Sequence, residues 1–404
     1  MNLRRILTFL ALPLVLGLDR LAYYGARSVL VVYMTRPAAE GGLGLPSPAA
    51  TRDYAVLTML VLLTPLLGGL LAIGIGPRLT LVIGAVLSAL GYVLIGVAPA
   101  QSITIPFVIL AVGQGLVRPS LFAIVGGELG RRHESWRNAL CAVLYVAINL
   151  GAALAPIAST LMSRSGFTPV FFTSAGLMVL AVVVSVGLAV VQRFGPPPDE
   201  PPPWRGAEIG IMFILFLAMP YLSGLGVVST AQYNVLDRSA GGALDVALMT
   251  LNPTIVTLAS LVFALVLVVF ALSKVRAPTL LMLGAGNIVF AIGVAPLLVA
   301  GDTRIAVVAS IAVTALGEAL VGPLLISRAS ADTNPRFAAL VVAGWLVFSG
   351  LFTRAPDLLS ERNSVFVVVF LSVTLLGCLV IGALLVALHK RIERQIFPEE
   401  TTTR

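Results

Sequence analysis

Five ionisable side chains stand inside long apolar runs, where solubility cannot account for them: Asp19, Arg20, Arg27, Arg118 and Glu318. A charge at the centre of a membrane-spanning helix costs about 3 kcal/mol on insertion scales unless it meets a partner or a wet cavity. At about 100° per residue, Asp19, Arg20, Tyr23, Tyr24 and Arg27 share one sector of a helix. Leu18, Leu21, Val29 and Val32 take the other side, where they can meet lipid or neighbours. Gln114 and Arg118 share a face at i, i+4, and so do Ser310, Thr314 and Glu318. Arginines set against Asp19 and Glu318 suit a ligand with a carboxylate, and charges of both signs suit a zwitterion. A water-filled site is therefore expected. For any single residue the alternative, a fixed salt bridge that only holds helices together, stays open.

The elements that must position these groups are apolar and numerous. A spanning helix needs roughly 20 mostly apolar residues. The sequence offers twelve such segments, near 6–35, 53–75, 78–98, 103–128, 138–162 and 169–192, then 207–236, 246–273, 277–300, 303–328, 336–353 and 363–388. Between the two sets, Gln192 to Gly206 is rich in proline, which cannot continue a helix. It reads as a stiff, solvated connector. The expected organisation is a first half over 1–192, a cytoplasmic linker over 193–206, a second half over 207–388 and a tail over 389–404, polar and loosely ordered. Two six-helix halves around a central cavity describe an all-α polytopic protein of major facilitator architecture. Gly113 and Gly115 flank Gln114, Pro119 follows Arg118, Gly317 and Gly322-Pro323 bracket Glu318, and Asn252-Pro253 opens another segment. Such residues let helices approach closely and bend.

Composition excludes most other classes. Hydrophobic residues make up 58% and charged residues 11%, with a mean hydropathy of +1.03; soluble chains carry about 25% charged residues. The net charge of +8 sits mostly at the ends of apolar runs, as topology signals do, so nucleic acid is not an expected partner. Sixteen lysines and arginines, Arg131, Arg132, Arg137, Lys274, Arg276 and Lys390 among them, fall on one side. Arg36, Arg52, Arg164, Arg238, Arg304, Arg354 and Arg362 fall on the other and are the smaller set. This bias predicts cytoplasmic termini in a cell inner membrane, with Ile6 onward a retained first helix. Cys141 and Cys378 lie in apolar runs and read as packing residues, while His133 and His389 lie in basic segments. No metal, cofactor or enzymatic nucleophile–base set is expected.

The same residues carry a resemblance. Asp19-Arg20-Leu21-Ala22-Tyr23-Tyr24-Gly25-Ala26-Arg27 is similar to the first-helix ExxERFxYYGxR of the proton-dependent oligopeptide transporters. Gly113-Gln114-Gly115-Leu116-Val117-Arg118-Pro119 resembles their GxGxxKPN, and Tyr145-Val146-Ala147-Ile148-Asn149-Leu150-Gly151-Ala152 their YxxINLGA. Asn252-Pro253, Gly317-Glu318 with Pro323, and Gly344-Trp345 resemble the patches on helices eight, ten and eleven. The resemblance implies that Arg27 and Arg118 face a peptide carboxylate and that Asn149, Asn252 and Glu318 hold the amino terminus. It implies that Tyr23, Tyr24, Tyr145, Trp345 and Ser349 line side-chain pockets, and that Asp19, Arg20 and Glu318 serve proton coupling.

Departures from the pattern are specific. Leu16 takes the place of the first glutamate, Asp19 shortens the second, and Ile73 stands at the superfamily's loop aspartate. No acid lies between Glu208 and Asp237, where Gln232 and Asn234 are the nearest polar groups. The expected function is proton-coupled symport of di- or tripeptides, or similar small zwitterions, by a monomer in the lipid bilayer. The rival readings are a proton-independent facilitator or exporter of another organic anion or metabolite, and a non-transporting sensor or scaffold.

Overall fold

The computed structural model describes residues 3–99, 102–129, 133–194, 221–222, 224–226, 228, 251–300, 303–331, 336–354 and 364–396. Among these residues the regular structure is helical. We number the helices α1 (Leu3–Thr35), α2 (Ser47–Leu63), α3 (Pro65–Ile75), α4 (Pro77–Val97), α5 (Thr104–Leu129), α6 (Glu134–Met162) and α7 (Thr168–Phe194). Beyond them come α8 (Leu251–Leu272), α9 (Thr279–Ala300), α10 (Arg304–Ala331), α11 (Ala338–Arg354) and α12 (Ser364–Ile396). Ten described segments are long and apolar enough to cross a membrane, α2 and α3 counting as one, and α11 is a shorter apolar helix. Most of the segment expected over 207–236, with Gln232 and Asn234, lies outside the described residues, as does the linker after Phe194.

Large apolar side chains point outward along these helices, among them Leu10, Val183, Val262, Val269 and Val299. Water would penalise that surface, whereas lipid does not. Inside, the helices meet through small residues, because helix association in lipid is driven by close packing. The second expected helix is broken at Thr64, where Pro65 has no N–H to give. The Thr64 hydroxyl donates instead to the Ala111 carbonyl of α5 at 2.7 Å. Gly115 of α5 is the counterpart, since a Cβ there would collide with Thr64. Gly76, at φ 84, makes the turn from α3 into α4.

The chain divides into two compact units. One comprises 1–128, 147–200 and 335–347, and the other 129–146, 201–334 and 348–404. In the first, α1 packs on α7 and α2, and α4 on α3 and α7. Ala72, Ala123, Ala338 and Ala339 form a small-residue contact there. In the second, α9 packs on α10 and α12, and α8 on α10. Gly284 and Gly317 permit those contacts. A Cβ at Gly317 would lie 2.6 Å from the Phe290 nitrogen, and one at Gly284 2.9 Å from the Gly382 carbonyl oxygen.

Several expectations are corrected. Gln192 belongs to α7, is buried, and donates to the Thr8 hydroxyl at 3.0 Å. Residues 389–396 continue α12 as helix, so that stretch is not loose tail. The apolar side of α1 is as expected, with Leu18 and Val29 buried against neighbours and Val32 exposed. Arg137 and the equally basic Arg328 are fully buried rather than lying in loops. Glu134 explains part of this. Its carboxylate accepts from Arg328 Nη2 at 2.7 Å, from Arg276 Nε at 2.8 Å and from the Thr279 hydroxyl at 2.7 Å. Arg137 Nε donates to Ser327 at 3.0 Å. A matching knot in the first unit joins Arg4 and Arg78 to Glu128. Apolar-run ends that read as topology signals are therefore also packed ion clusters.

Candidate functional site

Helix α1 carries a polar stripe because its residues repeat at helical spacing, and the structure closes that stripe into a network. Arg20 Nε donates to Asp19 Oδ2 at 2.8 Å, and Arg20 Nη2 also reaches the Gln114 carbonyl oxygen at 2.6 Å. Gln114 Nε2 completes the ring, donating to Asp19 Oδ1 at 2.8 Å and leaning on the Ser88 hydroxyl at 3.3 Å. Every carboxylate oxygen of Asp19 is thus engaged, and the residue is fully buried. The Arg20 guanidinium also lies 4.9 Å from the Tyr23 ring centre and 5.8 Å from that of Tyr24, close enough for cation–π attraction.

Glycines build this arrangement. A Cβ on Gly113 would lie 2.5 Å from the Ser88 nitrogen, and one on Gly151 2.8 Å from Arg20 Cβ. With glycine at both places, α5 seats against α4 and α6 against α1, and Gln114 reaches Asp19. The sequence placed Gln114 beside Arg118; the structure assigns it to Asp19.

Two turns further along α1, Arg27 Nε donates to the Tyr54 hydroxyl of α2 at 2.5 Å. Its guanidinium lies 5.6 Å from the Tyr54 ring centre and 5.9 Å from that of Tyr23. A cavity of about 10 Å³, room for one water, lies among Tyr23, Arg27, Tyr54, Thr58 and Tyr92. Arg118 differs from both. It is half-buried, its buried Nε has no hydrogen-bond acceptor, and no carboxylate among the described residues lies within ion-pair distance. The charges near it are those of Arg20 and Asp19, already joined to each other.

The second unit holds a different carboxylate. Glu318 of α10 is buried and accepts the Tyr145 hydroxyl of α6 at 2.8 Å. Asn252 of α8 approaches the same group. Around it, Val256, Ala315 and Ala319 form an apolar cluster, with Tyr145, Ile255 and Ala259 packed against it. No cation among the described residues lies within ion-pair distance of Glu318. Gly322, one turn further along α10, makes room for Tyr145: a Cβ there would lie 2.7 Å from the ring's Cζ. Ser310 and Thr314 share the buried face, but the Thr314 hydroxyl is spent on the Ser310 carbonyl at 2.7 Å.

The expected site residues are therefore divided. Asp19, Arg20, Tyr23, Tyr24, Arg27, Arg118, Asn149 and Trp345 belong to the first unit; Tyr145, Asn252, Glu318 and Ser349 belong to the second. Asn149 and Trp345 are buried and Ser349 is half-buried. Sequence reasoning missed Tyr54 and Ser88, because isolated hydroxyls in apolar runs carry no periodic signal.

Residues 20–355 match the Major Facilitator Superfamily. An uncharacterized transporter of Bacillus subtilis (strain 168), YclF, is 27% identical over 204 residues, covering 48% of this chain and 41% of that protein. A di-/tripeptide transporter of Lactococcus lactis subsp. cremoris is 30% identical over 143 residues, covering 34% of this chain and 29% of its own. The chain spans less than half the length of these curated relatives. A crystal structure of a peptide transporter, POT, in complex with alafosfalin superposes with a TM-score of 0.60 at 19% identity, covering 96% of this chain and 95% of the other. That likeness is one of fold. With ten described membrane spans and a family match running from the Asp19–Arg20 network past Glu318, the chain belongs to the Major Facilitator Superfamily.

Proposed function

We propose that the protein is a secondary active transporter that carries di- or tripeptides, or zwitterions of similar size, together with protons by alternating access. The observation that carries this reading is a pair of unmatched charges. Among the described residues, Arg118 in the first unit lacks a carboxylate and Glu318 in the second lacks a cation, whereas Asp19 has both its oxygens satisfied. A charge within a membrane-spanning helix and without a partner is costly, and it is retained where a ligand or a proton completes it. Arg118 and Arg27 suit the ligand carboxylate, and Glu318, with Asn252 and Asn149, suits its ammonium. Tyr23, Tyr24, Tyr145, Trp345 and Ser349 offer ring and hydroxyl surface to its side chains. The names printed for the Lactococcus lactis relative and for the superposed structure support the substrate class.

Glu318 is also the proton site in this reading. Protonation removes a charge that the ligand would otherwise neutralise, and such a local charge change can bias a two-state transporter. Asp19 and Arg20 hold the first unit's polar stripe in register. The protein would act as a monomer in the cell inner membrane with cytoplasmic termini, as the Lys/Arg bias suggests. Its halves would run over 1–192 and 207–388, with 193–206 linking them and 389–404 following. The test is uptake of labelled dialanine into proteoliposomes with and without an inward proton gradient. Accumulation driven by the gradient is the expected result. Uptake only down dialanine's own gradient would make the protein a facilitator, and no peptide uptake would overturn the substrate assignment.

A further inference from the structure

Helix α8 ends on a residue whose backbone suits glycine. Lys274 has φ 55 and is the one non-glycine residue with positive φ among those described. The turn around it is a Schellman closure. Lys274 N–H donates to the Ala271 carbonyl at 3.4 Å and Val275 N–H to the Phe270 carbonyl at 3.0 Å, while Ser273 N–H donates to the Val269 carbonyl at 2.9 Å. Backbone groups thus occupy the last carbonyls of the helix, and the Lys274 ammonium is not needed to cap them. Its side chain is exposed and makes no hydrogen bond or ion pair with a described residue. Arg276, two positions on, is engaged differently: its Nε donates to Glu134 at 2.8 Å. Ser135 of α6 fixes the turn, its hydroxyl donating to the Val275 carbonyl and accepting from the Ala277 N–H, both at 3.2 Å.

Beside this lysine a groove of about 270 Å³ opens on α8, lined among the described residues by Val266, Val269, Phe270, Ser273 and Val275. All three valines are exposed. The helix that carries the groove, Leu251–Leu272, is long and apolar enough to cross a membrane, so lipid tails can cover these side chains. Lys274 is the first charge after Leu251 and stands where such a helix meets the headgroups.

We propose that this groove binds one anionic phospholipid, with an acyl chain along Val266, Val269 and Phe270 and the phosphate at Lys274 and the Ser273 hydroxyl. Charge complementarity selects this occupant. The apolar groove by itself would take any acyl chain, whereas an ammonium without a protein counter-ion among the described residues favours a headgroup of net negative charge. Glycine at position 274 would suit the turn better and lose that selection.

Native mass spectrometry of the purified protein tests this, reading the dissociation constant of the first bound lipid. The probes are palmitoyl-oleoyl phosphatidylglycerol and the phosphatidylcholine with the same chains. Wild type should hold the phosphatidylglycerol about fivefold more tightly, the worth of one cation near an anionic surface. Lys274→Gly should bring the two lipids level in a folded protein, since glycine adopts φ 55 freely. Lys274→Arg should keep the preference. Glycerol phosphate, an anionic headgroup without chains, should not compete at equal concentration; full competition would overturn the role of the groove. Equal affinities in wild type overturn the proposal, as does a preference that survives in Lys274→Gly.

Discussion

Two buried carboxylates sit on membrane helices of this protein, and their surroundings are opposite in kind. Asp19 is fully buried, ion-paired to Arg20 and hydrogen-bonded to Gln114, with Ser88 behind. Glu318 is buried against Val256, Ala315 and Ala319 with a tyrosine hydroxyl and, among the described residues, no cation. Among the described residues, the first carboxylate is balanced by a cation and the second is not. Burial alone therefore does not mark a working charge; what distinguishes the two is whether neighbouring groups already balance it. The resemblance assigned proton coupling to Asp19, Arg20 and Glu318 together. In the function proposed above that work falls to Glu318, and Asp19 and Arg20 hold the polar stripe of α1 in register.

The largest expected effect separates the pair directly. Glu318→Gln should abolish gradient-driven accumulation while leaving the thermal midpoint in detergent close to wild type, since the amide keeps the shape and can still accept from Tyr145. Retained accumulation would remove Glu318 from the coupling machinery. Asp19→Asn should do the reverse. It strands Arg20 in a dry network, and breaking a buried pair costs about 3–5 kcal/mol, so the melting temperature should fall sharply. An Asp19→Asn protein that melts normally yet loses coupling would invert the comparison.

Arg118→Ala removes a cation that has no counter-ion among the described residues, so stability should hold while affinity for carboxylate ligands falls by about tenfold or more. Competition binding with dialanine and its C-terminal amide reads this: the amide should be affected far less, and equal losses would count against a carboxylate contact. The smallest change is Tyr54→Phe. Losing the hydroxyl that accepts from Arg27 should weaken binding by about fivefold, one neutral-to-charged hydrogen bond partly replaced by water. An effect as large as that of Arg118→Ala would move the ligand's anchor towards Arg27.

Much of this was legible in the sequence. Apolar runs of membrane-spanning length, charges set within them and glycines at the contact points follow from local composition and helical period. They placed Asp19, Arg20, Arg27, Arg118 and Glu318 on the right helices. The chain also carried the glycine pairs whose reason is now physical: Gly113 and Gly115 admit Ser88 and Thr64, and Gly322 admits Tyr145. Arg137, Arg328 and Glu134 were not legible as core. An arginine at the end of an apolar run looks the same whether it faces water or a buried carboxylate.

By itself the sequence determined that the chain spans a membrane, which helices bear charge, and which family its motifs resemble, because these depend on residues within a turn or two of each other. Only the tertiary structure decided which charges are spent. Gln114 reaches Asp19 across 95 positions, and Tyr145 reaches Glu318 across 173. Side-chain types and spacing cannot specify such pairings, since they depend on how closely helices far apart in the chain can approach.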